Sequence, residues 1–253
     1  MNLSEHEKER YKRQMALNGF GQECQGVLKT KTAMIAGIGG LGGNAALYLA
    51  AAGIGKLVIV HYGKLTLSNM NRQILMKDSG IGNARVTQAK KFIEELNPHV
   101  EVEIYDERIS EELAVKLLPT VDIALSARPN FYERRQLNKT SVAHGVPMVE
   151  AAMNAMEGYL FNVIPGKTPC LNCVFPDDDP NWQELGFPVL GAVSGALGCL
   201  MAIEAIKILT GFGRPLLGQM LMFNTFDMEF KKLRIMHDPK CDVCGIALTL
   251  LLP

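Results

Sequence analysis

The sequence predicts an α/β protein: a doubly wound, Rossmann-like mixed sheet with an N-terminal helical arm and a zinc-clipped, antiparallel C-terminal extension. Three observations predict it. First, the apolar run Thr32–Ala36 ends directly in Gly37-Ile38-Gly39-Gly40-Leu41-Gly42, and an alanine-rich helix and the β-branched strand Lys56–Val60 follow. Strand, glycine turn, helix, strand is the opening unit of a nucleotide-binding fold. Second, helix and strand patterns go on alternating as far as Glu150. Third, two Cys-x-x-Cys pairs, Cys170/Cys173 and Cys241/Cys244, stand before a long apolar stretch and near the end of the sequence. Each such turn offers two soft ligands from one side, and a tetrahedral zinc site needs four. The pairs would clip the tail of the chain back onto its body. Two disulfides and a redox Cys-x-x-Cys are the rival readings.

The elements follow in order. Residues 1–30 form the arm, with a helix over 4–18: Ser4 and Glu7 make a capping box and Gly19 a stop. Arg10, Lys12 and Arg13 lie on its positive side. Residues 31–150 form the nucleotide-binding core. Its helices are predicted over 43–52 (ending at Gly53), 84–96, 110–117 and 130–144, and its later strands over 100–104, 122–125 and 148–150. Residues 151–253 form the extension, with strands over 159–164 and 220–224. The apolar stretch 189–211 carries Glu204 and Lys207. Each would cost roughly 2.5–3.5 kcal/mol near the middle of a bilayer, so the stretch reads as a buried helix and no membrane is implied. Without repeats or linker-like segments, 1–253 counts as one domain.

The 253 residues are 48% apolar and carry no formal net charge, which argues against nucleic-acid binding. Lys90-Lys91 and Lys231-Lys232 read as solvated faces. No basic-then-apolar leader opens the sequence, and Cys24 and Cys199 lie in helix-like surroundings. The expectation is a cytoplasmic, reducing compartment.

The glycine turn allows the backbone to approach a phosphate, whose charge the N–H groups of a helix N-terminus meet. Dinucleotide-binding folds place an acidic residue at the end of the second strand for the ribose hydroxyls. Here His61 stands there, which weakens a nicotinamide oxidoreductase reading. Leu67-Ser68-Asn69-Met70-Asn71-Arg72-Gln73 comes next, and Arg85 supplies a second cation. Two arginines facing a polyphosphate suit attack at the α-phosphate, where they neutralise developing charge. The plainer alternative is two surface arginines in salt bridges.

The glycine turn, Ser68-Asn69-Met70-Asn71-Arg72-Gln73, Arg10-Tyr11-Lys12-Arg13-Gln14 and the two cysteine pairs together resemble the ThiF/MoeB/HesA family, bacterial relatives of ubiquitin-activating enzymes. The likeness runs from about residue 4 to 245. It implies Mg-ATP-dependent adenylation of the C-terminal carboxylate of a ubiquitin-like sulfur carrier, in a homodimer whose Arg13 reaches the partner subunit's nucleotide. Gly37, Gly39, Gly40, Gly42, His61, Ser68, Asn69, Arg72, Arg85 and Asn130 would surround ATP, Arg72 and Arg85 in catalytic roles. Zinc would sit on Cys170, Cys173, Cys241 and Cys244.

Several positions depart from the family pattern. His61 replaces the ribose aspartate, and Arg85 stands where a lysine is usual. The segment that carries the magnesium-linked aspartate reads Ser126-Ala127-Arg128-Pro129-Asn130, with Glu133 the nearest carboxylate in sequence. A crossover that in some relatives bears a catalytic cysteine reads Asp177-Asp178-Asp179-Pro180-Asn181-Trp182. Tyr62-Gly63-Lys64-Leu65 and Met148–Asn154 fit the HesA branch better than the sulfur-carrier enzymes. That branch implies metallocofactor or sulfur handling for nitrogenase, with a cofactor-assembly protein as a second candidate partner. Two readings follow: an adenylyltransferase whose metal is held by Glu133, Asp122 or the other subunit, or a dimeric scaffold that holds a partner without ATP turnover. The acidic loop with Trp182 is a candidate partner surface or a solvated loop, and Met148, Met153 and Met156 read as core fillers.

Overall fold

The computed structural model describes residues 2–177 and 186–245. The strands are β1 (Thr32–Ala36), β2 (Lys56–Val60), β3 (Glu101–Tyr105), β4 (Ile123–Ser126), β5 (Met148–Asn154), β6 (Glu157–Val163), β7 (Gln219–Asn224) and β8 (Glu229–Arg234). They join in one sheet in the order β3-β2-β1-β4-β5-β6-β7-β8. Pairing is parallel from β3 through β5 and antiparallel from β5 to β8.

The central strands are apolar at successive positions because both their faces are covered. On β1, Ala33 and Ile35 belong to one core and Met34 and Ala36 to the other. The first core is completed by α4 (Gly40–Ala52), α5 (Arg85–Leu96) and α9 (Gly191–Thr210), the second by α6 (Glu111–Leu117) and α7 (Phe131–His144). This is the doubly wound arrangement the pattern predicts. Helix α9 is long and apolar enough to cross a membrane, yet it lies against α4, β5 and β6. A side chain at Gly198 would come within 2.3 Å of the Leu41 carbonyl, so the two helices touch backbone to backbone. Glu204, buried on α9, accepts from Asn162 Nδ2 and the Leu216 N–H and pairs with Lys207, which removes the penalty of its charge.

The arm differs from the predicted single helix over 4–18. It forms α1 (Glu5–Arg10) and α2 (Lys12–Met15), broken at Tyr11, with a further helix, α3 (Gly21–Leu28), that the sequence reading omits. Tyr11 is buried and its hydroxyl accepts from Asn97 Nδ2 at 2.9 Å. A Cβ on Gly53 would stand 2.4 Å from its ring. Seating that ring in the body outweighs continuing a short helix, whose own stability is marginal. The capping box is formed as predicted. Helix α4 starts at Gly40, earlier than the expected residue 43, and β5 continues past Glu150 to Asn154 because β6 pairs with it along its length. Strand β8 was not predicted: all six of its residues are exposed, so no alternation marks it. The short helix α8 (Leu171–Val174) was not predicted either, and the other predicted helices and strands lie within two residues of their expected bounds.

Glu7 anchors the arm. It accepts from Ser4 and forms a 2.7 Å pair with Lys29. Burial pushes its pKa up, but the hydrogen bonds from Lys29 and Ser4 outweigh burial and hold it at about 2. A depressed carboxylate adds stability above its unfolded pKa and loses it as pH falls through the carboxylate range toward 2. Glu7→Gln is expected to cost about 2 kcal/mol at pH 7 and to lessen the loss of stability between pH 5 and pH 3; denaturant titration at both pH values reads this out.

Candidate functional site

A cleft of about 200 Å³ opens at the carboxyl ends of β1 and β4, where the strand order reverses. Open α/β sheets place ligands at such a switch point. The glycine turn forms its floor. Gly37 has φ +103°, open to glycine, and any Cβ there would meet the Ala127 carbonyl at 2.5 Å. A Cβ on Gly42 would lie 1.7 Å from the Gly37 carbonyl oxygen, so only glycine lets α4 start this tightly after β1. Gly39 has no side chain to cap α4, which leaves the first-turn N–H groups without partners inside the helix.

Above Gly40 lies Arg72: a Cβ on Gly40 would be 3.3 Å from the Cβ of Arg72 and 2.5 Å from Ser194 Oγ. Arg72 donates to the Ser68 carbonyl at 2.9 Å and to Asn71 Oδ1 at 2.8 Å. Arg85 donates to the carbonyls of Gly63 and Tyr62 at 3.2 and 2.6 Å. Among the described residues neither has an ion-pair partner, so the surface salt bridges considered above are not what holds them. Burial draws both pKa values down, but a guanidinium keeps its charge.

The third wall follows β4. Arg128 is buried and donates through Nε and Nη2 to Glu133 Oε2 at 3.0 and 2.8 Å, and through Nη1 to His61 Nδ1 at 2.7 Å. Arginine cannot accept, so Nδ1 carries no proton and the neutral ring bears its hydrogen on Nε2. Burial, then the charges of Arg85 and Arg128, hold the His61 pKa well below its ordinary value. Its Nε2 and the Oε1 of Gln73 are buried without partners among the described residues, two polar atoms a ligand would satisfy. Arg134 donates to the Arg128 carbonyl at 2.6 Å and pairs with buried Glu150 at 3.2 Å. No aspartate or glutamate lines the cleft among the described residues, whereas Arg72, Arg85, Arg128 and Arg134 do.

The predicted site residues separate into groups. Gly39, Gly40, His61, Asn69, Arg72 and Arg85 line the cleft. Gly37 and Gly42 shape the turn beneath it. Ser68 lies 3.1 Å from Thr66 Oγ1, and Asn130 caps α7 through Glu133 N; neither lines the cleft. Arg13 is exposed on α2. Of the carboxylates considered for a metal, Asp122 binds Lys31 and the Thr32 N–H at the opposite end of β1, which removes it from the site. Glu133 is fully engaged by Arg128, Asn130 and the Ile109 N–H. The sequence reading missed Arg128 and Arg134 as cleft residues; their nearness to a strand end was the available signal. Met148 and Met153 are buried core residues, and Met153 also faces the cleft. Asp177 is exposed, and Asp178, Asp179 and Trp182 lie outside the described residues.

A larger, mostly apolar groove of about 530 Å³ runs over β5–β8 beside the cleft. The two share Pro129, Arg134, Ala152, Met153 and Phe187 as a common wall.

The four predicted ligand cysteines converge. Their sulfurs all lie within 4.8 Å of one another, with Cys170–Cys241 at 3.6 Å and Cys173–Cys244 at 3.3 Å. Zinc with sulfur at ~2.3 Å sets an S–S edge of roughly 3.8 Å, so this donor set fits a tetrahedral ion. All four are free thiols. The Cys244 thiol draws Cys170 down to about 5, while burial lifts Cys241 to about 11. All four can ionise together only around a cation. Asn138 on α7 accepts from the Leu171 N–H at 3.0 Å, and the Asp238 N–H reaches Cys173 Sγ at 3.5 Å, fixing the two turns.

Comparison with known proteins agrees with this architecture. The family model described as ThiF family matches residues 11–243. The chain is 50% identical over 245 residues to "Protein HesA, vegetative" of Trichormus variabilis, covering 97% of this chain and 92% of that protein. It is 35% identical over 248 residues to the molybdopterin-synthase adenylyltransferase of Escherichia coli, covering 96% and 98%. The crystal structure of Escherichia coli MccB with ATP superposes with a TM-score of 0.82 at 22% identity, over 96% of this chain and 76% of that one. A glycine turn at the switch point, arginines above it, a cysteine cluster and these similarities together make this chain a member of the ThiF family.

Proposed function

We propose that the chain binds ATP on the glycine turn and transfers AMP to the carboxylate at the end of a partner polypeptide. The observation that carries this reading is the wall common to the cleft and the groove. A peptide tail along the apolar groove would bring its carboxylate to the cleft past Arg134. There the carboxylate oxygen attacks the α-phosphorus, the bond to the bridging oxygen of the β-phosphate breaks, and pyrophosphate leaves. Arg72 and Arg85 neutralise the charge that grows on the transferred and departing oxygens. The names of two relatives, a sulfur carrier protein adenylyltransferase and a molybdopterin-synthase adenylyltransferase, support this reaction class. The narrower role we propose is sulfur or metallocofactor handling for nitrogenase in the cytoplasm; identity of 50% to HesA proteins supports the branch that this role is taken from. The partner would be a ubiquitin-like sulfur carrier or a cofactor-assembly protein. In a homodimer, exposed Arg13 is available to the partner subunit's nucleotide. The cysteine cluster would hold structural zinc, fixing the tail without taking part in the reaction.

The scaffold reading has its own support, because Pro129 and the locked Glu133 leave no carboxylate for the family's magnesium among the described residues of the cleft. ATP–pyrophosphate exchange separates the two. Exchange stimulated by a peptide with a free C-terminal glycine, and at least a hundredfold lower in Arg85→Ala, is the expected result. ATP binding without any exchange would favour the scaffold.

A further inference from the structure

The magnesium implied by the family does not fit the residues present. A hard divalent cation takes oxygen ligands, commonly one or two carboxylates together with phosphates. No carboxylate lines this cleft among the described residues. The acid nearest it, Glu133, is 1% exposed, and both its oxygens are occupied: Oε2 by Arg128 Nε, Arg128 Nη2 and Asn130 Nδ2, and Oε1 by the Ile109 N–H. Arg128 is fixed from several sides. His61 Nδ1 accepts from it, its Cδ lies 3.2 Å from where a Gly37 side chain would begin, and its guanidinium lies 5.1 Å from the centre of the Tyr62 ring. Of its five N–H groups three are taken, so two remain for a ligand in the cleft it lines. Arg72 and Arg85 bring to the same space two charges with no ion-pair partner among the described residues, and α4 adds its N-terminal dipole.

We infer that the cleft takes its nucleotide as the metal-free polyphosphate anion, and that Arg128, by occupying Glu133, keeps divalent cations out of the site. This rests on the nucleotide reading above. Guanidinium groups do here what a carboxylate-held ion does elsewhere, and Arg128 both faces the nucleotide and holds Glu133 away from any cation. Displacing it would free Glu133 and restore a ligand for a cation.

Isothermal titration with ATP, once in EDTA and once in excess magnesium, tests the inference on the wild-type protein. The expected Kd in EDTA is lower than that in excess magnesium, which withdraws the metal-free anion from solution. In Arg128→Ala, metal-free affinity should fall at least tenfold and magnesium should recover part of it, inverting the ratio. Glu133→Gln keeps the shape of the lock without its charge and should retain the wild-type preference for metal-free ATP, which answers the case in which Arg128→Ala fails to fold. Wild-type binding that is equal in the two buffers, or that requires magnesium, overturns the inference and leaves the nucleotide reading standing. An unchanged ratio in a folded Arg128→Ala variant overturns the role of Arg128. No binding in either buffer overturns the nucleotide reading, and the inference with it.

Discussion

Arg72→Ala is expected to weaken ATP binding about a hundredfold while shifting the melting temperature by no more than about 2 °C. The asymmetry follows from what the side chain touches. Its hydrogen bonds within the protein reach the Ser68 carbonyl and the Asn71 side chain, both at the surface of a short turn. Water replaces these partners at little cost. A phosphate in the cleft would lose a charge-assisted pair worth about 3 kcal/mol, which the other arginines of the cleft, held on their own partners, replace only in part. Calorimetric titration and a thermal melt on the same preparation check both halves. Unchanged ATP affinity would mean that the nucleotide does not lie on the glycine turn.

The second large effect concerns stability. On the proposed zinc site, Cys241→Ser is expected to lower the melting temperature by about 10 °C or more and to reduce bound zinc from about one per chain to well below that. The cluster joins the start of α8 (Leu171–Val174) to a tail that follows the exposed β8. Beyond β8 the tail meets the body through the cysteines, through the Ile235 N–H on the Gly218 carbonyl at 3.0 Å and through Asn172 Nδ2 on Asp242 Oδ1 at 3.3 Å. Loss of one thiolate leaves three sulfurs packed together with no ion to hold them. Elemental analysis and differential scanning calorimetry of the variant read out the two quantities. A chelator that strips metal from the wild type without moving its melting temperature would contradict the assignment.

Much of this architecture was legible because its signals are local. The run from Thr32 to Val60 could be read directly, since burial on both faces makes β1 and β2 continuously apolar and the close approach at Gly42 leaves one residue possible. The cysteine pairs were legible because ligand spacing is set by a single turn, and both turns meet in space. What was missed depends on partners distant in sequence. Tyr11 breaks the first helix because Gly53 and Asn97 make room for its ring, which no helix propensity encodes. Strand β8 exists because β7 offers it an edge, and its exposed residues carry no period. In the cleft, Arg72, Arg85 and His61 were visible as residue types at the ends of elements. The locking of Glu133 by Arg128 was not, because it needs the fold of the Ala127–Asn130 segment and a contact to His61 at the end of a different strand.

The wall between cleft and groove carries a thermodynamic obligation. Arg134, held by Glu150 and Tyr159, forms part of both spaces, as do Met153 and Phe187. An occupant of one space that resettles these side chains alters the free energy of filling the other, and the alteration is the same in both directions. If a polypeptide tail raises affinity for the nucleotide by some factor, the nucleotide must raise affinity for the tail by that factor. Release of either then loosens the other, so a single row of side chains sets the order in which the protein gathers and gives up its two ligands.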